Sequence, residues 1–359
     1  MIINNILNKK LTTVVLLVLS FQFSIFNLKA QDIHFTMNDA MPVTTNPASA
    51  GVFNGAFRGV LNYRNQWAGI GNAYNTYAVM VDGGILKNNW RNGYLGLGLG
   101  AYRDIAGENK LGTTKINLAL SSVLYLNDKN SASIGLLGSW AQNSISSENM
   151  RWDSQFNGQT FDPMAPSFES FQFENTNYFD YSAGALWAYG ESASTLSSFN
   201  NFTMQAGIAF YHVTRPSRQL EFGDLDRLYS RWAIHAESVI GLFNSKWALK
   251  PKLFTYFQGP ARQITGGILG RYMIKEESKY TGIFKEMAIS FGTYFRLGDA
   301  IAPSVEFETS GLAVGVSYDM NISDLSVATG GNGGPEIYLK YVFIPYINGK
   351  GTKSNARFN

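Results

Sequence analysis

Three histidines, no cysteine and the carboxylate pair Glu306/Glu308 are the first candidates for chemistry in this 359-residue chain. His34, His212 and His235 are far apart in sequence and lack the short spacing that puts two imidazoles on one metal, so they read as polar residues of a lumen or a loop. Glu306 and Glu308, at i and i+2, share one face of an extended strand. Two such carboxylates could act as general acid and base, but paired lumen-facing charges are the more ordinary reading. There is no G-x-S-x-G nucleophile elbow. The stretch Gly330–Gly334 (GGNGG) runs into Pro335 without the Lys-Ser/Thr of a phosphate loop, and it reads as a mobile loop. The Leu/Gly alternation at 95–100 is not followed by a helix, as a dinucleotide fingerprint would be. Without cysteine there are no disulfides, no thiolate zinc and no thiol nucleophile. The chain is expected to be no enzyme and to need no cofactor or metal.

Composition narrows the class further. Charged residues make up 15 %, against roughly 25 % in an average soluble domain, and there are 36 glycines. The net charge of +3 comes from Lys9, Lys10 and Lys29; beyond residue 30 bases and acids balance at 26 each. That balance excludes the basic footprint of a nucleic-acid binder. Residues 1–30 read as a signal peptide: Lys9-Lys10, then the apolar run Leu11–Phe26, then Ala30 before a cut that leaves Gln31 first. No later run is long and apolar enough for a membrane helix.

Strict alternation replaces helical periodicity. Leu95, Leu97 and Leu99 face away from Gly96, Gly98 and Gly100; Ile116, Leu118 and Leu120 face away from Lys115 and Asn117. Period two means strands with one apolar face and one polar or small face. The pattern predicts fourteen: 55–65, 74–82, 92–103, 113–126, 132–143, 178–190, 201–213, 228–241, 247–258, 262–274, 285–297, 301–309, 311–320 and 335–345. Many exceed the ~5–6 residues usual in soluble sheets and match the ~9–11 that cross a bilayer at a tilt. Aromatic residues crowd strand ends (Tyr63, Trp67, Tyr94, Tyr102, Trp140, Phe179, Tyr189, Trp232, Tyr341, Phe343), as interfacial girdles would. The fold class expected is an all-β transmembrane antiparallel barrel over 55–359, preceded by an N-terminal periplasmic or plug segment, 31–54. With the N-terminus inside, the long connections 144–177, 214–227 and 321–334 all face outward. Loop 144–177 carries Trp152, Phe156, Phe161, Phe168, Phe171 and Phe173, which should fold back into the mouth or form a contact patch.

Several segments resemble one family. The run Gln31-Asp32-Ile33-His34-Phe35 followed by Asn46-Pro47-Ala48-Ser49-Ala50-Gly51 is similar to the "QDPQF … NPAYAG" opening of the PorP/SprF proteins. Tyr63-Arg64-Asn65-Gln66-Trp67-Ala68-Gly69-Ile70 is similar to their "YRNQW.GI". His212-Val213-Thr214-Arg215-Pro216 resembles "HhT.P", and Leu249-Lys250-Pro251 their "hhP" strand. Gly315-Val316-Ser317-Tyr318-Asp319-Met320-Asn321-Ile322-Ser323 resembles "G.SYDhN.S", and Gly333-Gly334-Pro335-Glu336-Ile337 resembles "GG.EI". The resemblance implies a non-enzymatic outer-membrane barrel of the type IX secretion and gliding-motility apparatus of Bacteroidetes. Its partners would be outer-membrane lipids, the periplasmic lipoprotein ring of the machine and a secreted adhesin that it helps deliver or anchor. A passive porin or hydrophobic-solute transporter with an N-terminal hatch is the alternative, and an outer-membrane hydrolase a more distant one.

The same residues have physical readings of their own. Asn46-Pro47 favours a turn, and Ala48, Ala50 and Gly51 permit close backbone approach, which suits a segment tucked at or inside the barrel mouth. Arg64, Asn65 and Gln66 supply donors beside an interfacial Trp67. Parity puts Ser317 and Asp319 on the lumen face and Tyr318 outward, so Asp319 should pair with Arg58 or Arg64. Structural or partner-contact roles are thus expected for Asn46, Pro47, Arg64, Asn65, Gln66, Trp67, His212, Pro216, Ser317, Tyr318, Asp319 and Asn321.

Overall fold

The structure is a computed structural model that describes residues 32–351 apart from 68, 70–73, 88, 89, 91, 108, 109, 147–150, 169–174, 192–201, 219–225, 276–285, 325, 345, 348 and 349. The expected signal peptide, and Phe171 and Phe173 of the aromatic loop, lie outside the described residues. Fourteen antiparallel strands close a barrel among them. In chain order these are β1 (Phe57–Gln66), β2 (Tyr74–Ile85), β3 (Gly93–Ala106), β4 (Leu111–Tyr125), β5 (Asn130–Ser144), β6 (Thr176–Glu191) and β7 (Phe202–Tyr211). There follow β8 (Arg231–Gly241), β9 (Trp247–Gln258), β10 (Ala261–Lys275), β11 (Met287–Arg296), β12 (Ala300–Thr309), β13 (Leu312–Asn321) and β14 (Asn332–Phe343). Each pairs with its sequence neighbours, and β1 closes on β14 from Phe57↔Phe343 to Arg64↔Glu336.

Alternation decides which face meets lipid. Leu118 is 51 % exposed while its neighbour Asn117 is 5 % exposed, and the same contrast runs along the other strands. Ten residues, the length of β11, β12 and β13, rise roughly 3.3 Å each; tilted by about 40° they span the ~25 Å apolar band of an outer-membrane barrel. On the other side β3 to β6 run to 14, 15, 15 and 16 residues, so that wall stands taller. The outer part of β6 continues along β5 beyond its last partner on β7, Ala183↔Phe210. The rim with the long connections is the outer one by the general rule for such barrels. No helix among the described residues is long and apolar enough to cross a membrane; the crossing elements are strands.

Two expectations need correction. Tyr94 and Tyr102 are not girdle residues. Tyr94 is fully buried in the lumen and donates to the Gly51 carbonyl at 2.9 Å, and Tyr102 packs on the interior apolar cluster. Their parity matches the glycine face of β3, which outweighs their position at the strand ends. Nor is GGNGG wholly a loop: Asn332, Gly333 and Gly334 open β14, where the register against β13 shifts between Asp319 and Met320. A Cβ on Gly333 would fall 2.5 Å from the Asp319 carbonyl oxygen, and Gly334 has φ +145°, so this irregular pairing requires glycine.

Residues 33–55 lie inside the lumen. The segment leaves β1 at the inner rim, where the Ala56 amide donates to the Phe343 carbonyl, and climbs through three short helical turns at Pro47–Ser49, Pro42–Thr45 and Asn38–Ala40. Proline at the start of two of these turns costs no hydrogen bond, because that N–H would be unsatisfied anyway. Phe35, Met41 and Val43 are buried against Val60, Met80 and Phe254 of the wall. We call residues 33–55 the plug.

Candidate functional site

The outer end of the plug is held by charge. Asp319 on β13 accepts from Arg64 of β1 at 2.9 Å, from Arg296 of β11 at 2.5 Å and from the Thr36 hydroxyl at 2.7 Å. Arg64 also donates to the His34 carbonyl. Glu336 on β14 takes the Thr36 and Met37 amides on its two oxygens at 2.6 and 3.1 Å, with Asn62 at 3.3 Å. One turn deeper, Asp39 accepts from Lys252 at 2.5 Å and from Tyr294 at 3.0 Å, and Tyr256 donates to Asn38 at 2.8 Å. Burial pushes the Asp39 carboxyl up, but Lys252, reinforced by Lys250, holds it below the ordinary carboxylate range. Buried ions in such a cluster are tolerable because each finds an opposite charge and hydrogen bonds.

The inner part of the plug meets the opposite wall without charge. Gly96 of β3, Gly135 of β5, Gly184 of β6 and Gly207 of β7 present bare backbone to residues 46–50. A Cβ on Gly135 would lie 2.5 Å from the Ala48 nitrogen, and one on Gly207 2.5 Å from Asn46 Nδ2. Between the glycines, Ser121 and Ser133 donate to the Ala50 and Ala48 carbonyls at 2.7 and 2.8 Å. Asn46 is the hub of this contact: its Nδ2 donates to the Ala185 carbonyl at 3.0 Å and lies 3.1 Å from His235 Nε2, while its Oδ1 accepts from the Ala48 amide at 3.0 Å. Near the inner rim, Asp82 joins Arg58 at 2.8 Å and takes the Gly51 amide at 2.8 Å. Arg58 also lies over the Phe53 ring.

The residues singled out from sequence occupy several places. Asn46 and Pro47 lie in the plug. Arg64 and Asp319 pair directly; Arg58, the other candidate partner, goes to Asp82 instead. Ser317 is buried and Tyr318 is 39 % exposed on the lipid side, its hydroxyl 3.4 Å from Asn332. Asn321 donates to Thr329 and to the Asn332 carbonyl at 3.1 and 3.2 Å, closing the β13–β14 connection. Asn65 donates to Asn75 at 2.9 Å, Gln66 ends β1, and Trp67 (φ +63°) sets its edge on Tyr74. His212 stands apart with Pro216 in the β7–β8 connection. Its Nδ1 is 2.9 Å from Asp180, which also takes Lys115 at 2.9 Å, and the Pro216 carbonyl accepts from the Leu228 amide. Glu306 and Glu308 both meet Lys250, at 3.0 and 3.1 Å, and Arg271 meets Glu308, so this carboxylate pair is neutralised in the wall. Reasoning from sequence missed Thr36, Asp39, Lys252, Arg296 and the role of Glu336. Of these only Glu336 carried a local signal, the Gly-Gly-Pro before it.

Over residues 27–341 the sequence matches the profile of a family described as type IX secretion system membrane protein PorP/SprF. The chain belongs to this family. As a PorP/SprF barrel it is a protein of the outer membrane, and the family is one of secretion-system membrane proteins rather than of enzymes. No curated protein matches the chain. Among solved structures it is similar to a FadL homologue of Pseudomonas aeruginosa (12 % identity, 85 % of this chain and 94 % of that one, TM-score 0.45). It is also similar to an outer membrane channel of Pseudomonas putida F1 (14 %, 81 % and 96 %, TM-score 0.39). A third is BamA from Haemophilus ducreyi lacking POTRA domains 1–3 (9 %, 80 % and 70 %, TM-score 0.40).

Proposed function

We propose that this PorP/SprF barrel is a non-enzymatic contact component of the type IX secretion and gliding machinery, helping to deliver or anchor a secreted surface protein. The observation that carries this reading is the plug. A lumen packed with the chain's own backbone and clamped by Asp319, Glu336 and Asp82 suits a scaffold better than a passage for solutes. Partners then meet the barrel at its two rims. The outer loop offers a patch for a secreted adhesin, with Phe168 86 % and Met164 89 % exposed. In water such side chains favour a protein contact. The inner rim faces the periplasmic lipoprotein ring. Because bases and acids balance beyond residue 30, these contacts depend on local shape and pairing rather than bulk charge.

Deletion of the gene tests the proposal. Cells without the barrel should fail to display or retain a secreted surface protein while small-solute permeability stays normal. Normal surface proteins with altered uptake of a solute would overturn it in favour of a porin or hydrophobic-solute transporter.

A further inference from the structure

The lipid-facing surface of the barrel changes character on one wall. On β8, β9, β11 and β13 the last outward position before the outer rim is apolar: Trp232, Phe257, Phe295 and Met320. β10 places a lone cation there, Arg262. β3 to β6 are longer, and their outward face turns polar before it ends. Pairing sets Arg103 opposite Thr114, Thr114 opposite Gln142 and Gln142 opposite Asn177. Lys115, Ala141, Asn143 and Asp180, at odd spacing from these, are buried in the lumen, so the four side chains of the row point outward. Two residues nearer mid-bilayer the same strands carry Ala101, Ile116, Trp140 and Phe179, of which Ile116 is 48 % and Phe179 67 % exposed. The polar row contains no acid, and Asp104, beside Arg103, turns inward to Thr76. Among the described residues none of the four side chains has an ion pair or a hydrogen bond.

We propose that this row is a docking surface for the headgroup of a phosphorylated glycolipid in the outer leaflet. The inference goes beyond the machine role and does not rest on it. Position supplies the first argument. Acyl chains lie along Ala101, Ile116, Trp140 and Phe179, so the positions directly above them meet the headgroup layer. Tilted strands carry the row obliquely, climbing roughly 3 Å per strand, so it follows a headgroup through its thickness rather than at one depth. The inner leaflet is excluded because the row lies toward the rim with the long connections. Chemistry supplies the second argument. The guanidinium fork of Arg103 matches the oxygens of a phosphate. Thr114, Gln142 and Asn177 each donate and accept, as sugar hydroxyls require. A phospholipid headgroup would satisfy Arg103 and leave the three neutral side chains to water.

The test uses the purified full-length barrel in a non-ionic detergent with three lipids: bisphosphorylated lipid A, the same lipid with both phosphates removed, and phosphatidylglycerol. Native mass spectrometry reads the bound fraction of each. Bisphosphorylated lipid A should bind at least about tenfold more tightly than either comparator. Arg103→Gln should weaken it by about tenfold and leave the dephosphorylated lipid unchanged. Gln142→Leu should weaken both forms of lipid A by about threefold and leave phosphatidylglycerol unchanged. Arg262→Gln, on the other wall, should change nothing. All three positions face outward, and a native-like heat-modifiable band on gels would show that the variants fold. Native affinity in both row variants, or an equal loss in Arg262→Gln, would overturn the docking surface. Phosphatidylglycerol binding as tightly as lipid A would reduce the row to a general attraction for anions and overturn the glycolipid. Loss of a co-purifying protein in Arg103→Gln, with lipid A binding unchanged, would give the row to a protein contact instead.

Discussion

The plug is held by two walls that use different physics. On one side β1, β11, β13 and β14 grip its outer end through Arg64, Arg296, Asp319 and Glu336, an arrangement of long side chains whose strength lies in charge-assisted hydrogen bonds. On the other side Gly96, Gly135, Gly184 and Gly207 of β3 to β7 let backbone lie on backbone, and neutral donors, Ser121, Ser133, Tyr94 and Tyr211, supply hydrogen bonds to the plug carbonyls. The first contact depends on pairing, the second on vacancy. Each should therefore fail to a different substitution.

The largest effect should come from leaving the ionic wall half-empty. Asp319→Ala removes the acceptor that two buried guanidinium groups share, leaving Arg296 with Asp299 and Arg64 with Glu336 and the His34 carbonyl, a loss of about 3 kcal/mol; the heat-modifiable band should convert at markedly lower temperature, and residues 33–37 should become open to protease. If the melting behaviour is unchanged, the cluster is not what holds the plug. On the glycine wall the damaging change is an addition. Gly135→Val should cost about 1–3 kcal/mol by pushing on Ala48, whereas Gly266→Val, where a Cβ meets nothing, should be silent in the same assay. Equal tolerance at both sites would show that backbone contact is not limiting. Removing the hub, Asn46→Ala, leaves the Ala48 amide without its acceptor and should lower stability by about 1–2 kcal/mol, seen as faster hydrogen exchange at Ala48.

The smallest effect separates the walls by pH. The folded-state pKa of Asp39 lies below its ordinary value, so its contribution is complete above about pH 4 and is lost as pH falls through the lower folded value. Hydrogen exchange at residues 36–39 should accelerate on acidification below about pH 4, while residues 46–50 on the uncharged wall keep their protection. Uniform acceleration across the plug would mean that the two contacts are not independent.

How much of this was legible in sequence follows the same division. Period-two alternation marks every barrel strand, because lipid on one face and a packed lumen on the other constrain each residue separately. Strand ends were less legible: the pattern predicts β8 from residue 228, yet it starts at Arg231, where pairing with Tyr211 begins. The glycine face of β3 was plain, and trusting it over the girdle rule would have placed Tyr94 and Tyr102 inside. The ionic cluster was half-legible. Asp319 and Arg64 stand in dense motifs, but Arg296 and Thr36 lie in unremarkable sequence 260 residues apart and are joined only by closure of the ring. Ion pairs between distant strands leave no local trace.

That cluster also bears on the order of assembly. Its members come from the first strand and from three of the last four, and Arg64 faces Glu336 across the very seam that shuts the ring. The plug is continuous with β1, and Arg64 near the far end of that strand holds the His34 carbonyl. Thr36 and Met37 find Glu336 only when β14 arrives at β1. Zipping the seam and latching the plug are therefore one event, late and of high contact order. A barrel that has not closed around its own N-terminus still shows that end to the periplasm, where a chaperone or protease can distinguish unfinished rings from finished ones.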